Sequence, residues 1–343
     1  MVYWGRLFRR SRMTGHSPPV IPRPPRAAVF LDFMTASLYY VCCCYAAAAG
    51  RRYFADKESP MIRIASDSTC DLSKELIDRY HITILPLQVL LGSEAYYDGL
   101  TITPDEIYAW ADANKTTPKT AAPNPEAVAD VYRQILDAGD DLVIFSISRS
   151  MSACYSILNM VAEESGHPER IRVIDSANLS TGIALQVILA AELAEAGKSL
   201  DEIVAAVEEV RPYVRASFVV DTLTYLYRGG RCSGLAALAG GMLRLHPRIA
   251  VADGAMSPGK KYRGRMDRVI LDYTKDMEEE LLKARPDRVF ITHSGCTPEV
   301  VGSVREYLES LGHFSQILET RAGSVISSHC GPGTLGVLFI AGE

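Results

Sequence analysis

From Ile62 onward, short runs of β-branched and other apolar residues alternate with longer stretches in which apolar positions recur every three or four residues. These are the periods of strand and helix. Residues 62–66 form a short apolar strand, and Asp67-Ser68-Thr69-Cys70-Asp71-Leu72-Ser73 is a polar turn leading into a helix over 73–80. The next apolar run, 82–91, contains Pro86. Proline lacks the N–H that a central ladder needs, so this run lies at a sheet edge or changes direction at that point. Tyr96-Tyr97-Asp98-Gly99 predicts a turn, and Thr103-Pro104-Asp105-Glu106 starts a helix with proline first and acids in the first turn, ending near Asn114. A rigid loop is expected over 119–125, followed by a helix to Ala138. Residues 142–147 are almost free of polar side chains, as in a strand covered on both faces. Ser146, Ser148, Ser150 and Ser152 end that run, and a helix follows from Ala153. A strand over 171–175, a polar turn over 176–181 and helices over 182–196 and 200–214 complete the alternation of a doubly wound α/β domain.

The pattern changes after Arg215. A strand over 217–222 and a short helical piece over 223–227 lead to a basic glycine loop, Arg228-Gly229-Gly230-Arg231-Cys232-Ser233-Gly234. Leu235, Leu238, Met242 and Leu245 then recur at helical spacing. A strand over 247–251, a turn at Gly254, Tyr262-Arg263-Gly264-Arg265, a helix over 266–284, a strand over 288–293, a helix over 298–311 and strands over 315–319 and 336–341 predict an α+β domain. The expected organisation is an α/β domain over 61–212, an α+β domain over 213–343, and an extension over 1–60 outside the fold.

Composition narrows the class. The 343 residues are 48% hydrophobic and 22% charged, as in a globular protein, and a net charge of −5 argues against a broad nucleic-acid surface. The eight cysteines include no CxxC pair, which fits cytosolic thiols better than a disulfide framework or a zinc site. Residues 1–60 stand apart: a basic, proline-rich flank precedes an apolar run over 27–50 that ends in Ala46 to Ala49 and Gly50. Three readings apply to them: an upstream mis-assigned start or disordered extension, a membrane anchor, or a secretory signal. Met61 followed by a strand reads as a natural start.

Chemistry concentrates at the serine loop. A strand, a polar loop and a helix start place hydroxyls and backbone N–H groups at the edge of a parallel sheet, where α/β folds bind anions; the same serines serve equally as helix caps. Arg231 follows two glycines, but the spacing matches neither nucleotide-binding signature. Ser152, His329 and either Asp67 or Asp175 can be drawn as a hydrolase triad acting on a lipid or ester, although no Gly-x-Ser-x-Gly elbow surrounds the serine.

Five segments in order resemble the DegV family of bacterial fatty-acid-binding proteins: 66–72, 148–155, Leu226-Tyr227-Arg228-Gly229-Gly230-Arg231-Cys232-Ser233, Lys261-Tyr262-Arg263-Gly264-Arg265, and 328–336. The resemblance covers the chain from Met61 to the end. It implies a two-domain protein that is not itself an enzyme. Such a protein buries one long-chain fatty acid between its domains, needs no cofactor, touches membranes only transiently and presents the carboxylate to a separate kinase subunit. The family's usual Thr-Ser-Gln-Pro-Ser is here Thr120-Ala121-Ala122-Pro123-Asn124, and its Leu-Ser-Gly-Thr-Tyr is Met151-Ser152-Ala153-Cys154-Tyr155. A buried carboxylate needs several donors. The resemblance assigns that role to the hydroxyls of Thr120 and Ser152, the Ala153 N–H and the His329 imidazole, with Arg231, Arg263 and Arg265 at the tunnel mouth or facing the kinase.

Overall fold

The computed structural model describes residues 60–232 and 245–342. The first part runs β1 (Ile62–Asp67), α1 (Lys74–Tyr80), β2 (Thr83–Leu85), β3 (Gln88–Leu91), β4 (Glu94–Tyr97), α2 (Pro104–Asn114) and β5 (Lys119–Ala121). It continues with α3 (Pro125–Asp137), β6 (Asp141–Ser146), α4 (Cys154–Glu164), β7 (Ile171–Asp175), α5 (Thr181–Glu195) and α6 (Leu200–Val210). Two sheets result. One is wholly parallel in the order β2-β1-β6-β7, and the other is a small antiparallel sheet, β4-β3-β5. Pro86 falls in the break between β2, the edge of the first sheet, and β3 in the second, so the change of direction expected there separates two sheets.

The second part runs β8 (Val214–Val219), α7 (Thr224–Gly229), β9 (Leu245–Ala252), β10 (Ala255–Arg263), α8 (Met266–Lys275), α9 (Glu278–Leu282) and β11 (Ala284–Ser294). It ends with α10 (Pro298–Ser310), β12 (Gln316–Arg321), α11 (Ser324–Cys330) and β13 (Thr334–Ala341). Its strands form one mixed six-stranded sheet, β10-β9-β8-β13-β11-β12. A parallel sheet plus a second, mixed sheet is the α/β architecture expected from the alternation. Between the two sheets lies α5, packed on β1 and β6 on one side and β8 and β13 on the other. Its residues from Thr181 to Ile188 are all buried, and an apolar circumference of this kind is stable only with cover all round.

Several boundaries differ from those expected. Tyr96 and Tyr97 are strand, so the expected turn over 96–99 begins only at its end, at Gly99 (φ +72°), and a further reversal occurs at Gly92 (φ +66°). Part of the expected loop over 119–125 is β5, because Lys119 to Ala121 pair with β3. The helix expected to reach 214 stops at Val210, where Pro212 enters a short 3-10 turn. The helix over 266–284 breaks between Lys275 and Glu278. Two elements escape the periodicity altogether, the exposed strand β10 and the seven-residue helix α11. Arg228 and Gly229, placed in a loop, end α7, with Gly230 as its left-handed cap. Leu235, Leu238, Met242 and the Ser233-Gly234 end of the glycine loop lie outside the described residues, as do residues 1–59.

Phe145, fully buried on the central strand β6, tests the parallel-sheet core. Phe145→Ala is expected to cost about 3–5 kcal/mol of unfolding free energy, measured by urea denaturation, with the cavity term adding to lost transfer energy.

Candidate functional site

The site is assembled around α11. This helix packs on α7, α2, β3, β5 and the turn over 68–70, so a segment from near the end of the chain lies on elements from its first third. At its last turn, His329 Nε2 and Thr120 Oγ1 are 2.8 Å apart. The other ring nitrogen, Nδ1, is sealed from solvent and has no hydrogen-bond partner among the described residues. Gly229 makes that approach possible, because a Cβ there would lie 2.5 Å from Nδ1. Gly331, just past the helix, has φ +77° and faces the Tyr225 ring, which a Cβ would meet at 2.6 Å. Both its conformation and its surroundings require glycine. Burial, reinforced by the Arg231 charge, pushes the His329 pKa down to about 4, so the imidazole is neutral near neutral pH. Arg231 itself is exposed and donates to Gly229 O at 2.6 Å.

The opposite end of α11 is held by carboxylates. Gly323 N donates to Asp71 Oδ1 (2.8 Å) and Ser324 N to Asp98 Oδ1 (2.6 Å). The Ser68 hydroxyl donates to the other Asp98 oxygen at 2.8 Å, and the Ser180 hydroxyl to Asp71 Oδ2. Asp67, next to them in the same turn, accepts from Thr69 N (3.0 Å) and Ile147 N (2.8 Å). All three acids are buried. Desolvation outweighs these bonds, pushing Asp67 up to about 6, Asp71 well above the ordinary carboxylate range, and Asp98 in the same direction. Sequence alone marks 67–73 as a polar turn before a helix and as part of a family motif, and offers Asp67 as a triad member, with no site role for Asp71 or Asp98. The signal available was two acids, Asp67 and Asp71, among serines next to a strand end with no lysine or arginine in the motif; Asp98 lies outside it.

The remaining expected residues are more scattered. Ser152 works within its own turn: its hydroxyl accepts from Cys154 N (3.3 Å) and lies 2.9 Å from Cys154 Sγ, just ahead of α4, whose N-cap is Ala153. Ala153 is exposed at the start of α4. Arg263 and Arg265 lie on the surface at the end of β10, Arg265 paired with Asp267 at 2.8 Å. The hydrolase triad is not assembled. His329 is bonded to Thr120, Asp67 is occupied by backbone amides, and Asp175 accepts from Ala177 N and pairs with Arg149.

Two cavities adjoin these elements. Beneath α11 a small cavity of about 30 Å³ lies among Phe218, Ile326, Cys330 and Leu338. At the carboxyl ends of β6 and β7 a polar crevice of about 440 Å³ is lined by Ser148, Arg149, Ser150, Asp175 and Arg211. Across it, the Ser148 hydroxyl donates to Gly254 O at 2.6 Å and fastens the tip of the β9–β10 hairpin to the serine loop. No cluster suited to a metal ion occurs among the described residues, and no helix there is long and apolar enough to cross a membrane.

A parallel sheet and a mixed sheet that share one buried helix, with a short helix returning onto the small antiparallel sheet, define a fold class already represented among solved structures. The family model described as an uncharacterised protein of the DegV family matches residues 61–342, and the chain belongs to that family. A DegV domain-containing protein from Deinococcus radiodurans is 33% identical over 276 residues, covering 80% of this chain and 97% of its own. A structure describing fatty acid binding by a DegV family protein from Thermus thermophilus is similar at a TM-score of 0.76 and 31% identity, over 82% of this chain and 99% of that one. A stearic-acid-binding protein from Eubacterium ventriosum gives 0.73 at 30% identity, over 82% and 98%. DegV from Bacillus subtilis, described as a fatty acid binding protein, gives 0.71 at 27% identity, over 82% and 100%.

Asp67 and His329 respond to acid with opposite sign. Asp67 has a folded pKa of about 6 against an ordinary 3.8, so its share of stability is full below 3.8 and is lost as pH rises through 6. His329, at about 4 against 6.5, contributes stability above 6.5 that is lost as pH falls toward 4. Acidification from about pH 7 to about pH 4.5 therefore destabilises Asp67→Asn more than the parent and His329→Gln less, as measured by urea unfolding across that range.

Proposed function

We propose that this chain binds one long-chain fatty acid and holds its carboxylate at the Thr120–His329 pair. The observation that carries the reading is the His329 ring. With the Thr120 hydroxyl donating to Nε2, the single proton of the neutral imidazole lies on Nδ1, a buried donor that the described residues leave without an acceptor. A carboxylate oxygen would satisfy that donor, and a side chain at Gly229 would press on the same nitrogen, since a Cβ there would lie 2.5 Å from it. The Ser152 hydroxyl and the Ala153 N–H complete the donor set once the hydroxyl gives up its contacts with Cys154. Family membership and the described fatty-acid binding of the Thermus thermophilus and Eubacterium ventriosum proteins support the ligand class.

The tail, on this reading, occupies an apolar tunnel between the two sheet systems, and the chain acts as a carrier in the cytoplasm. It presents the carboxylate to a separate kinase subunit, where a carboxylate oxygen attacks the donor's terminal phosphorus, the bond from that phosphorus to the rest of the donor breaks, and an acyl phosphate forms as the remainder of the donor leaves. Arg231, beside the head group, and the exposed Arg263 and Arg265 would meet that partner, since surface charges act mainly through encounter. Membrane contact would be transient.

Oleate titration of purified protein tests the assignment. A hydrogen bond to a charged acceptor contributes about 1.5–3 kcal/mol, so His329→Ala and Ser152→Ala are each expected to weaken binding by roughly ten- to a hundredfold, and Thr120→Ala, which removes the donor that keeps the imidazole proton on Nδ1, is expected to weaken it as well. Arg263→Ala and Arg265→Ala should keep oleate affinity and lower acyl-phosphate formation with an added fatty-acid kinase subunit. Parental affinity in His329→Ala and Thr120→Ala would place the head group elsewhere.

A further inference from the structure

Helix α11 is fastened at both ends to the same small sheet. Asp98 follows β4 directly, its own N–H bonds Leu87 O at 2.9 Å ahead of β3, and its carboxylate takes the Ser324 amide at 2.6 Å. At the other end His329 meets Thr120 at 2.8 Å, and Thr120 pairs with Val89 across β5 and β3. Ser324 and His329 are five residues apart in one helix, about 7.5 Å along its axis at 1.5 Å per residue. Any displacement of the first end is carried to the second. The means of fastening is also unlike that of other helices in the chain: α1, α2 and α6 begin on their own caps, Ser73, Thr103 and Ser199. By contrast, α11 begins on Gly323 and takes its acceptors from residues 252 and 226 positions away, Asp71 and Asp98. Their carboxylates crowd the glycine, where a Cβ would lie 3.1 Å from both Asp98 oxygens and 3.3 Å from Asp71 Oδ1. Asp71 and its partner Ser180 both have φ +52°, a left-handed backbone that costs a non-glycine residue energy and persists where surrounding contacts impose it.

We propose that Asp71 and Asp98 are positioning residues for the ligand carboxylate. By clamping the first turn of α11 they set the point at which its last turn delivers His329 to Thr120 and to the ligand. The inference rests on His329 being a head-group donor, and it extends that reading to two residues that touch no ligand.

The test measures oleate affinity and the 15N chemical shifts of the His329 ring in Asp98→Ala, Asp98→Asn and Gly323→Ala. For affinity, each substitution is also placed in a His329→Ala background. Asp98→Ala and Gly323→Ala are expected to weaken oleate binding roughly tenfold and to move the ring nitrogen shifts. Asp98→Asn keeps an oxygen for the Ser324 amide and recovers most of the affinity. In the His329→Ala background none of the three should cost further affinity, because their effect passes through the missing ring. Equal losses in both backgrounds, or unmoved ring shifts in folded Asp98→Ala and Gly323→Ala, overturn the positioning role. Parental oleate affinity in His329→Ala overturns the head-group reading instead, and the ring shifts then decide the clamp alone. Should Asp98→Ala fail to fold, Gly323→Ala carries the same comparison with the carboxylate retained.

Discussion

The bond from the Ser324 amide to Asp98, with its neighbour from Gly323 to Asp71, closes the chain upon itself across more than two hundred residues. Removing a carboxylate from water is costly, and a helix start offers one of the few settings that offsets it, because its first amides have no intrahelical partners. The two needs are met together. The carboxylates obtain donors, the helix obtains acceptors, and the edge of the parallel sheet becomes joined to a segment that belongs by sequence to the six-stranded sheet. Thr120, the Tyr108–Tyr225 ring contact and the close approach of Gly229 to His329 all depend on α11 lying where these bonds put it.

A second constraint reinforces the first. Helix α5 serves as core to both sheets at once, and its buried Gln186 donates to Ser176 O and Gly182 O. The turn before it holds Ala177 and Ser180 at positive φ, and Ser180 uses its hydroxyl on Asp71. The loops at the carboxyl ends of β1 and β7 are therefore tied through one carboxylate to the start of α11. The carboxyl ends of the parallel strands are held together because two distant segments, at Ser180 and Gly323, donate to the same Asp71 carboxylate.

Much of this was legible in the sequence, and the failures are specific. Helices with caps and an amphipathic stripe, such as α2 with its Thr103–Glu106 capping box, declare themselves through local chemistry. Elements whose partners are remote do not. Residues 119–121 look like a proline-bounded loop because their strand character comes entirely from pairing with β3. Ser324 to Cys330 carries no amphipathic signal, since six of its seven residues are buried and its cap is supplied by Asp71 and Asp98. Strand β10 is mostly exposed and lysine-rich, and it exists because it pairs with β9. At the site, the family resemblance put Thr120 and His329 in one donor set, and the fold adds that the two side chains bond each other directly. The acids of the 67–71 turn read as polar turn residues because nothing local distinguishes a solvated aspartate from a buried one.

The two ends of α11 also differ in a way that bears on ligand release. Its carboxyl end would favour a protonated imidazole, through the negative pole of the helix dipole. Burial and the Arg231 charge override that preference and hold His329 neutral. A carboxylate bound there, on the proposed reading, is held by neutral hydrogen bonds with Arg231 as the nearby cation. Neutral donors are weaker partners than a buried ion pair and leave less charge behind when the anion departs. On the same proposed reading, in which the carboxylate oxygen is surrendered to a phosphoryl donor, this is the more useful arrangement, because the lone pairs stay available and the group can leave without stranding a buried cation.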